Sequence, residues 1–290
     1  MNKSSIYITH LIKHNLQKDA RYYQIAILFS LLGYGLIALD FPLTTYIISA
    51  YIGSCLLTQF FFSYFLRTSF DWKSPLISGF SLCLLLRTNA IEIALLAGVI
   101  TIAGKFLIRC NGKHIFNPTN ASISLLLLLT TLQILPHNAG VWISPGQWGS
   151  GPWFVFLLAG MGGLVLYRSR SSDITLAFLA AYAAILLIRA LWLGDPLTIP
   201  LHQLQHGGLL IFAFLMISDP KTIPNSRPAR LFFAALVASV AAYLQFVLYN
   251  TNGLFYALAL CSTLVPLCDR ISYGLRFQWA DNSSPQTTTS

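Results

Sequence analysis

The sequence predicts an all-α polytopic membrane protein with about ten transmembrane helices, arranged as two inverted five-helix repeats whose third and eighth helices are short and broken. Composition is the first reason: 56% of the 290 residues are apolar and only 9% are charged, whereas soluble domains carry roughly 25% charged residues. The second reason is that apolar runs close to the ~20 residues that cross a bilayer recur along the chain. The third is that two unusually short apolar runs occupy matching places in the two halves.

Apolar runs bounded by proline, glycine and charged residues predict the individual spans. They cover residues 22–38, 43–66, 76–86, 90–108, 119–135, 152–167, 174–193, 207–217, 230–249 and 253–267. These spans divide the chain into a cytosolic amphipathic leader (1–21), a first five-helix repeat (22–135), an extracytoplasmic loop (136–151), a second five-helix repeat (152–267) and a cytosolic, partly disordered tail (268–290).

The basic residues are distributed unevenly between the two sides of these spans. With a cytosolic N-terminus, only Arg87 and Arg189 of the 18 lysine and arginine residues lie toward the outer face. Cytosolic loops of membrane proteins carry such an excess of positive charge. The net charge of +9 is therefore explained by topology, and the predicted partner is the lipid bilayer and not nucleic acid. The predicted location is the cytoplasmic (inner) membrane, with both termini cytosolic.

The third and eighth predicted spans are too short to cross the membrane. Each has eleven residues, or about 16 Å of helix at ~1.5 Å per residue. The first of them, "LISGFSLCLLL", contains Gly79, and the second, "GGLLIFAFLMI", begins at Gly207 and Gly208. Because five is an odd number, the second half begins on the opposite side of the membrane from the first. The two halves therefore have opposite orientations in the bilayer. Matched short segments in inverted halves indicate a ligand site near the middle of the bilayer.

A polar, turn-rich stretch, "GKHIFNPTNASI", passes directly into an apolar run. Asn117 is a good N-cap and Pro118 suits the first helical position, so a helix is predicted to begin here. Its free N–H groups would attract an anion, Lys113 and His114 would add donors, and Gly112 would allow close approach of the backbone. The alternative is that Lys113 and His114 are ordinary flanking charge and that Asn117 is only a cap.

Three motifs resemble signatures of the family that holds the NqrB and RnfD subunits of ion-pumping membrane oxidoreductases. "GKHIFNPTNASI" is similar to its glycine-rich Phe-Asn-Pro signature, "FLMISDPKTIP" (214–224) resembles its half-helix ending in a Ser/Thr-Asp-Pro turn, and "PLISGFSLCLLLRTN" (75–89) lies where the family has a Ser-Gly half-helix. The resemblance covers roughly residues 25–275. It implies a flavin-binding membrane electron carrier that works with redox partner subunits and couples electron transfer to ion movement.

The loop before the sixth span departs from the family pattern. Members with covalent flavin mononucleotide carry a Ser-Gly-Ala-Thr type segment there, whereas this chain reads "PHNAGVWISPGQWGSGPW" (136–153). The loop resembles that of a divergent, UnbU-like branch. The resemblance therefore leaves two alternatives, a noncovalent flavin, either FMN or riboflavin, and a repurposed pocket.

The resemblance and the short spans together predict a cofactor site and no catalytic residue. Arg87 is included because an ionisable group inside the membrane is a functional candidate, although a pair with Glu92 would explain it structurally. The pair His202 and His206 lies four residues apart, but no cysteine or carboxylate cluster accompanies it, so no metal site is predicted. The predicted cofactor-binding residues are Ser78, Gly79, Arg87, Asn89, Gly112, Lys113, Phe116, Asn117, Pro118, Gly207, Gly208, Asp219 and Pro220.

Two functions follow from these patterns, and a scaffold that recruits biosynthetic or redox partners is a third possibility. The first is a membrane electron-transfer subunit that passes electrons between partner proteins. It would be at most one subunit of a membrane oxidoreductase complex, because the chain has no nicotinamide or iron–sulfur motif. The alternative is a small-solute transporter or channel, because the same inverted-repeat architecture serves transport.

Overall fold

The computed structural model describes residues 19–136, 139–143, 148, 160, 163 and 171–277, and nearly all of its regular structure is helical. The first 18 residues of the predicted leader, the sixth span apart from residues 160 and 163, and the last 13 residues of the tail lie outside the described residues. Each of the nine other predicted spans contains a helix.

The first half has five helices, with short strands after the third and fourth of them. The helices are α1 (Ala20–Ala38), α2 (Thr45–Phe65), α3 (Lys73–Leu85), α4 (Ile91–Leu107) and α5 (Pro118–Thr131). The strands are β1 (Leu86–Arg87), β2 (Arg109–Cys110) and β3 (Lys113–His114), with β4 (Trp142–Ile143) following α5. Antiparallel pairing joins β1 to β4 and β2 to β3.

In the second half, one helix changes its hydrogen-bond pattern partway along. After α6 (Ser172–Leu193) and α7 (Thr198–Leu204), α8 (Gly207–Ile211) continues directly as a π-helical turn over Phe212–Met216. The chain then forms α9 (Arg227–Phe246), α10 (Gly253–Ser262) and α11 (Val265–Ile271). Helix α11 runs past residue 267, where the sequence pattern placed the end of the last span.

Helix length separates membrane-spanning candidates from the rest. Within the described ranges, α1, α2, α6 and α9 are long and apolar enough to cross a membrane, and α10 with α11, bent by 46°, is a fifth candidate if the pair counts as one span. Helices α4 and α5 have 17 and 14 residues. The short third and eighth helices are confirmed, at Lys73–Leu85 and Gly207–Met216. Ten spans and an inverted repeat stay predictions.

The outside of the bundle is covered by large apolar side chains. Along α2, for example, Phe60, Phe61, Tyr64 and Phe65 are exposed, while the opposite side buries Tyr51. A soluble monomer rarely exposes so large an apolar surface. An outer surface of this kind is suited to contact with lipid, so the structure is that of an integral membrane protein.

Small residues allow α2 and α4 to approach closely. A Cβ atom on Gly98 of α4 would overlap the Ser54 hydroxyl of α2 and lie 3.1 Å from the Cys55 backbone nitrogen. Gly104, one and a half turns further along α4, has no such neighbour within 4 Å. The two glycines therefore differ in packing although they share one helix.

We expect Gly98→Ala to destabilise the protein by about 1–3 kcal/mol, since overpacking forces the two helices apart. Gly104→Ala is the matched control, and alanine's better helix propensity should leave stability unchanged or raise it by up to about 1 kcal/mol. Thermal unfolding of the purified variants in detergent, followed by tryptophan fluorescence, measures both. Equal shifts for the two variants would contradict this account of the α2–α4 contact.

Candidate functional site

The β2–β3 hairpin has the two-residue turn that its Asn-Gly sequence favours. Asn111 and Gly112 have φ angles of 50° and 75°, and positive φ at both central residues is typical of tight hairpin turns. The Arg276 guanidinium donates to the carbonyl oxygens of Asn111 (3.2 Å) and Gly112 (2.6 Å). Gly112 thus meets a backbone requirement, and its carbonyl is occupied by Arg276.

Lys113, on β3, connects the two halves of the protein. Its buried ammonium group donates to the Ile223 carbonyl (2.6 Å), Asn225 Oδ1 (3.0 Å) and Asp269 Oδ2 (2.7 Å). Burial lowers the pKa of Lys113, and the nearby Asp269 carboxylate opposes that shift. An ammonium group has three donors, and here all three are used within the protein.

Asn117 confirms the predicted start of the fifth helix. Its Oδ1 accepts the backbone N–H of Asn120 (3.1 Å), and Pro118 occupies the first turn. The Nδ2 of Asn117 donates to the Met216 carbonyl (3.3 Å), at the end of the π-helical turn. One side chain therefore caps α5 and ties it to the broken eighth helix. π-Helical turns of this kind are frequent at functional sites.

Four predicted site residues meet at one cavity, hereafter the polar cavity. Ser78, Asn117, Pro118 and Asp219 line it, and its volume is about 100 Å³. The cavity lies where α1, α3 and α5 begin and where α4 and the π-helical turn end. Motifs about 40 and 100 residues apart in sequence thus contribute to one site.

Several charged groups of the polar cavity were not predicted as site residues. The sequence pattern assigned Arg21, Lys105 and Lys221 to cytosolic flanking charge, and Asp71 carried no prediction, yet all four line the cavity. His114 also lines it. The available signal was that all of these residues lie within five residues of the end of a predicted helix, on the side predicted to be cytosolic.

These basic groups differ in how they are held. Arg21 forms ion pairs with Asp19 (2.8 Å) and Asp71 (2.7 Å). Burial alone would raise the pKa of Asp19, but hydrogen bonds from Arg21 and Lys73 outweigh it and lower that pKa to about 2. Lys105 donates only to neutral partners, to Gln59 Oε1 (2.9 Å) and to the Ser74 hydroxyl (2.8 Å).

The cavity lining also includes Asp219, Lys221 and His114. Burial raises the pKa of Asp219, although the backbone N–H of Lys221 donates to its Oδ1 (3.1 Å) and opposes the shift. Burial lowers the pKa of Lys221. Burial, reinforced by the charges of Arg109, Lys105 and Lys221, lowers the pKa of His114 to about 3. The imidazole is therefore neutral near pH 7.

The other end of α3 holds Arg87, which lies away from the polar cavity. Its buried guanidinium donates to the carbonyl oxygens of Cys83 (2.6 Å), Leu86 (3.2 Å) and Leu84 (3.4 Å) and lies 4.5 Å from the centre of the Phe41 ring. A cation that satisfies the last carbonyls of a helix stabilises its C-terminus. In this position Arg87 caps the broken third helix.

The remaining predicted residues are dispersed. The Asn89 backbone N–H donates to the Ala139 carbonyl (3.0 Å), and Gly79 packs against Ile52 of α2. Gly207 and Gly208 begin α8, at the far end from Met216. Phe116 and Pro220 adjoin cavity residues in sequence without lining the cavity. Within the described part of the chain, no group of three or more histidine, cysteine or carboxylate side chains is placed to hold a metal ion.

Together, the long apolar helices, the two short ones and the charged cavity between their ends define an integral membrane protein with a polar site among discontinuous helices. Residues 142–277 match the family described as NQR2, RnfD, RnfE. Over this region, which includes the "FLMISDPKTIP" motif, the chain is similar to that family. The similarity supports the predicted resemblance to NqrB and RnfD over residues 142–277, and assignment to the UnbU-like branch stays a prediction.

Individual relatives are distant and are matched over part of their length. The chain is 28% identical over 113 residues to an RnfD homologue of Tolumonas auensis, which is one subunit of an ion-translocating oxidoreductase complex; the match covers 38% of this chain and 32% of the relative. It is 27% identical over 135 residues to the protein of the same name from Escherichia coli (strain K12 / DH10B), covering 46% of this chain and 37% of the relative. The match thus spans about a third of the length of these relatives.

Proposed function

We propose that this protein is a membrane electron-transfer subunit, resembling RnfD and NqrB, that holds a noncovalent flavin. One observation carries the proposal: Ser78, Asn117 and Asp219, from three motifs far apart in sequence, line one cavity in a chain related to subunits of ion-translocating oxidoreductase complexes. A bound flavin would supply reversible uptake and release of electrons.

The donor set of the polar cavity suits the polar groups of a flavin, although a volume of about 100 Å³ would enclose only part of that molecule. The ring system and side chain of a flavin carry carbonyl, ring-nitrogen and hydroxyl groups, and reduction adds negative charge. The cavity offers the Ser78 hydroxyl and the ammonium groups of Lys105 and Lys221, with Asp219 as an acceptor. In a protein interior, where the dielectric constant is low, such charges act more strongly than in water.

The chain's own residues would position the cofactor and control its surroundings. Asn117 fixes the start of α5 relative to Met216, so the cavity wall contributed by each half keeps a constant separation. Lys105 is oriented by Gln59 and Ser74, which reduces the reorganisation needed when a ligand becomes charged.

The cellular setting is part of the same proposal. We place both termini on the cytosolic side of the inner membrane, with the two halves as inverted five-helix repeats. The same topology puts the polar cavity at the cytosolic ends of its helices, whereas the sequence pattern predicted a flavin near the middle of the bilayer. Redox partner subunits would deliver electrons to the protein and accept electrons from it. This electron transfer would be coupled to ion transport. The predicted site residues remote from the cavity, Arg87, Asn89, Gly207 and Gly208, stay candidates for a second part of the pathway.

The proposal predicts that protein purified from flavin-replete cells shows flavin absorption bands. Acid precipitation should release the bands into the supernatant, because the flavin is noncovalent. Asn117→Ala should lose most of the bound flavin, since it frees the start of α5 from Met216. Asn252→Ala is the control, because Asn252 is the N-cap residue of α10 and makes no side-chain capping hydrogen bond. A colourless protein that elutes as a folded monodisperse species would refute the proposal that this protein binds a flavin.

The alternative, a small-solute transporter or channel, is favoured by the two discontinuous helices, since such helices form solute sites in transporters. If this alternative is correct, the purified protein is colourless, and vesicles that contain it take up solute. Uptake by vesicles with the protein, compared with empty vesicles, separates this alternative from electron transfer.

A further inference from the structure

The polar cavity contains an ammonium group and an imidazole nitrogen that the protein does not satisfy. Lys221 is half-buried, and within the described residues its Nζ has no hydrogen bond and no ion pair. The Nδ1 of His114 is buried and also lacks a hydrogen-bond partner in that part of the chain. Buried polar groups are almost always paired. The buried Nδ1 of His114 therefore points to a missing partner, and the half-buried Lys221 ammonium beside it supplies a positive charge that no group among the described residues takes up.

The balance of charge around the cavity is positive. The two carboxylates that line it are already engaged, because Asp71 accepts from Arg21 (2.7 Å) and Asp219 accepts the backbone N–H of Lys221 (3.1 Å). Lys105 is bound by neutral partners alone. The charges of Lys105 and Lys221 each disfavour a proton on His114. An anion in the cavity would relieve this mutual repulsion.

The size of the cavity restricts what the anion is. A volume of about 100 Å³ is below the roughly 300–1,000 Å³ of pockets that enclose a whole organic ligand. It accommodates one charged group of a larger molecule. The hydroxyls of Ser74 and Ser78 also line it, and hydroxyl donors beside ammonium groups suit a group with several acceptor oxygens.

We infer that the polar cavity binds a phosphate monoester group. Its dianionic charge and three terminal oxygens match the two lysines, the hydroxyls and the beginning of α5. The identity of the molecule that bears the phosphate rests on the proposed function. If that molecule is a flavin, the cavity selects FMN over riboflavin. Inorganic phosphate and the headgroup of phosphatidic acid offer the same chemistry.

The inference is tested by comparing FMN with riboflavin on flavin-free protein in detergent, with quenching of flavin fluorescence as the readout. FMN should bind about tenfold or more tightly than riboflavin, the contribution of one or two charge-assisted hydrogen bonds. Lys221→Gln should remove most of that difference. Arg189→Gln removes the same charge from a residue paired with Asp195 at the end of α6, and it should retain the difference. Inorganic phosphate should compete with FMN and not with riboflavin.

The remaining outcomes separate this inference from the proposed function. Equal affinities for FMN and riboflavin would overturn the phosphate site while leaving a flavin protein. If neither flavin binds, the flavin proposal fails. In that case, protection of wild type against thermal unfolding by inorganic phosphate or by phosphatidic acid nanodiscs, absent in Lys221→Gln, would support the phosphate site and identify its source. No binding of flavin, phosphate or phosphatidic acid would overturn both.

Discussion

Replacing Lys113 by methionine is expected to lower the free energy of unfolding by about 3–5 kcal/mol, the usual cost of removing one partner of a buried ion pair. The side chains of Lys113 and Asp269 are only 11% and 16% exposed. Without the ammonium group, the Asp269 carboxylate keeps the backbone N–H of Asn225 as a partner (2.7 Å) but loses its counter-charge. The Ile223 carbonyl loses its donor as well. Chemical denaturation in detergent, followed by tryptophan fluorescence, measures the change.

A comparison with an exposed pair shows whether burial is the cause. The Arg189–Asp195 pair is 3.5 Å long, and its side chains are 39% and 32% exposed. Arg189→Met should therefore cost less than about 1 kcal/mol. Removing both charges in Lys113→Met with Asp269→Leu should restore part of the lost stability, because no unpaired charge is left. Similar effects of Lys113→Met and Arg189→Met would show that Lys113 does not hold the two halves together.

Replacing Arg87 by alanine is expected to destabilise the protein by about 2–4 kcal/mol, because unsatisfied buried carbonyls cost roughly 1–3 kcal/mol each and the structure relaxes in part. The guanidinium contacts the carbonyl oxygens of Cys83, Leu84 and Leu86. Alanine leaves the end of α3 without these donors and opens space beside the Phe41 ring. Thermal unfolding in detergent is the measurement.

Two further variants identify the origin of that loss. Arg87→Lys keeps the charge, but its single ammonium group does not reproduce the planar fork of guanidinium donors, so it should recover only part of the stability. Arg227→Ala removes an exposed arginine at the start of α9 and should change stability by less than about 0.5 kcal/mol. Flavin bound per folded molecule should be unchanged in Arg87→Ala if Arg87 only caps α3. Loss of flavin from the folded fraction would instead support a cofactor role for this residue.

The helices and turns of this protein were predictable because their signals are local. Apolar runs located nine helices within the described residues. Asn117 and Pro118 marked a helix start that the structure has at that residue, because capping depends on a side chain and the backbone three residues away. The Asn111–Gly112 turn is local in the same sense, because both of its residues tolerate positive φ. The short third and eighth helices followed from counting apolar residues between polar stops.

The sequence by itself determined that this is a membrane protein. It also determined the order of the helices and the motifs that mark the candidate site. Only the tertiary structure decided which charges belong to that site. Lys113 was predicted to donate to a ligand, yet its ammonium group pairs with Asp269, 156 residues away. Lys105 and Lys221 were predicted to be flanking charge, yet they line the cavity. The physical reason is that helix periodicity and capping act over a few residues, while the pairing or exposure of a charge depends on which distant helix ends pack against it.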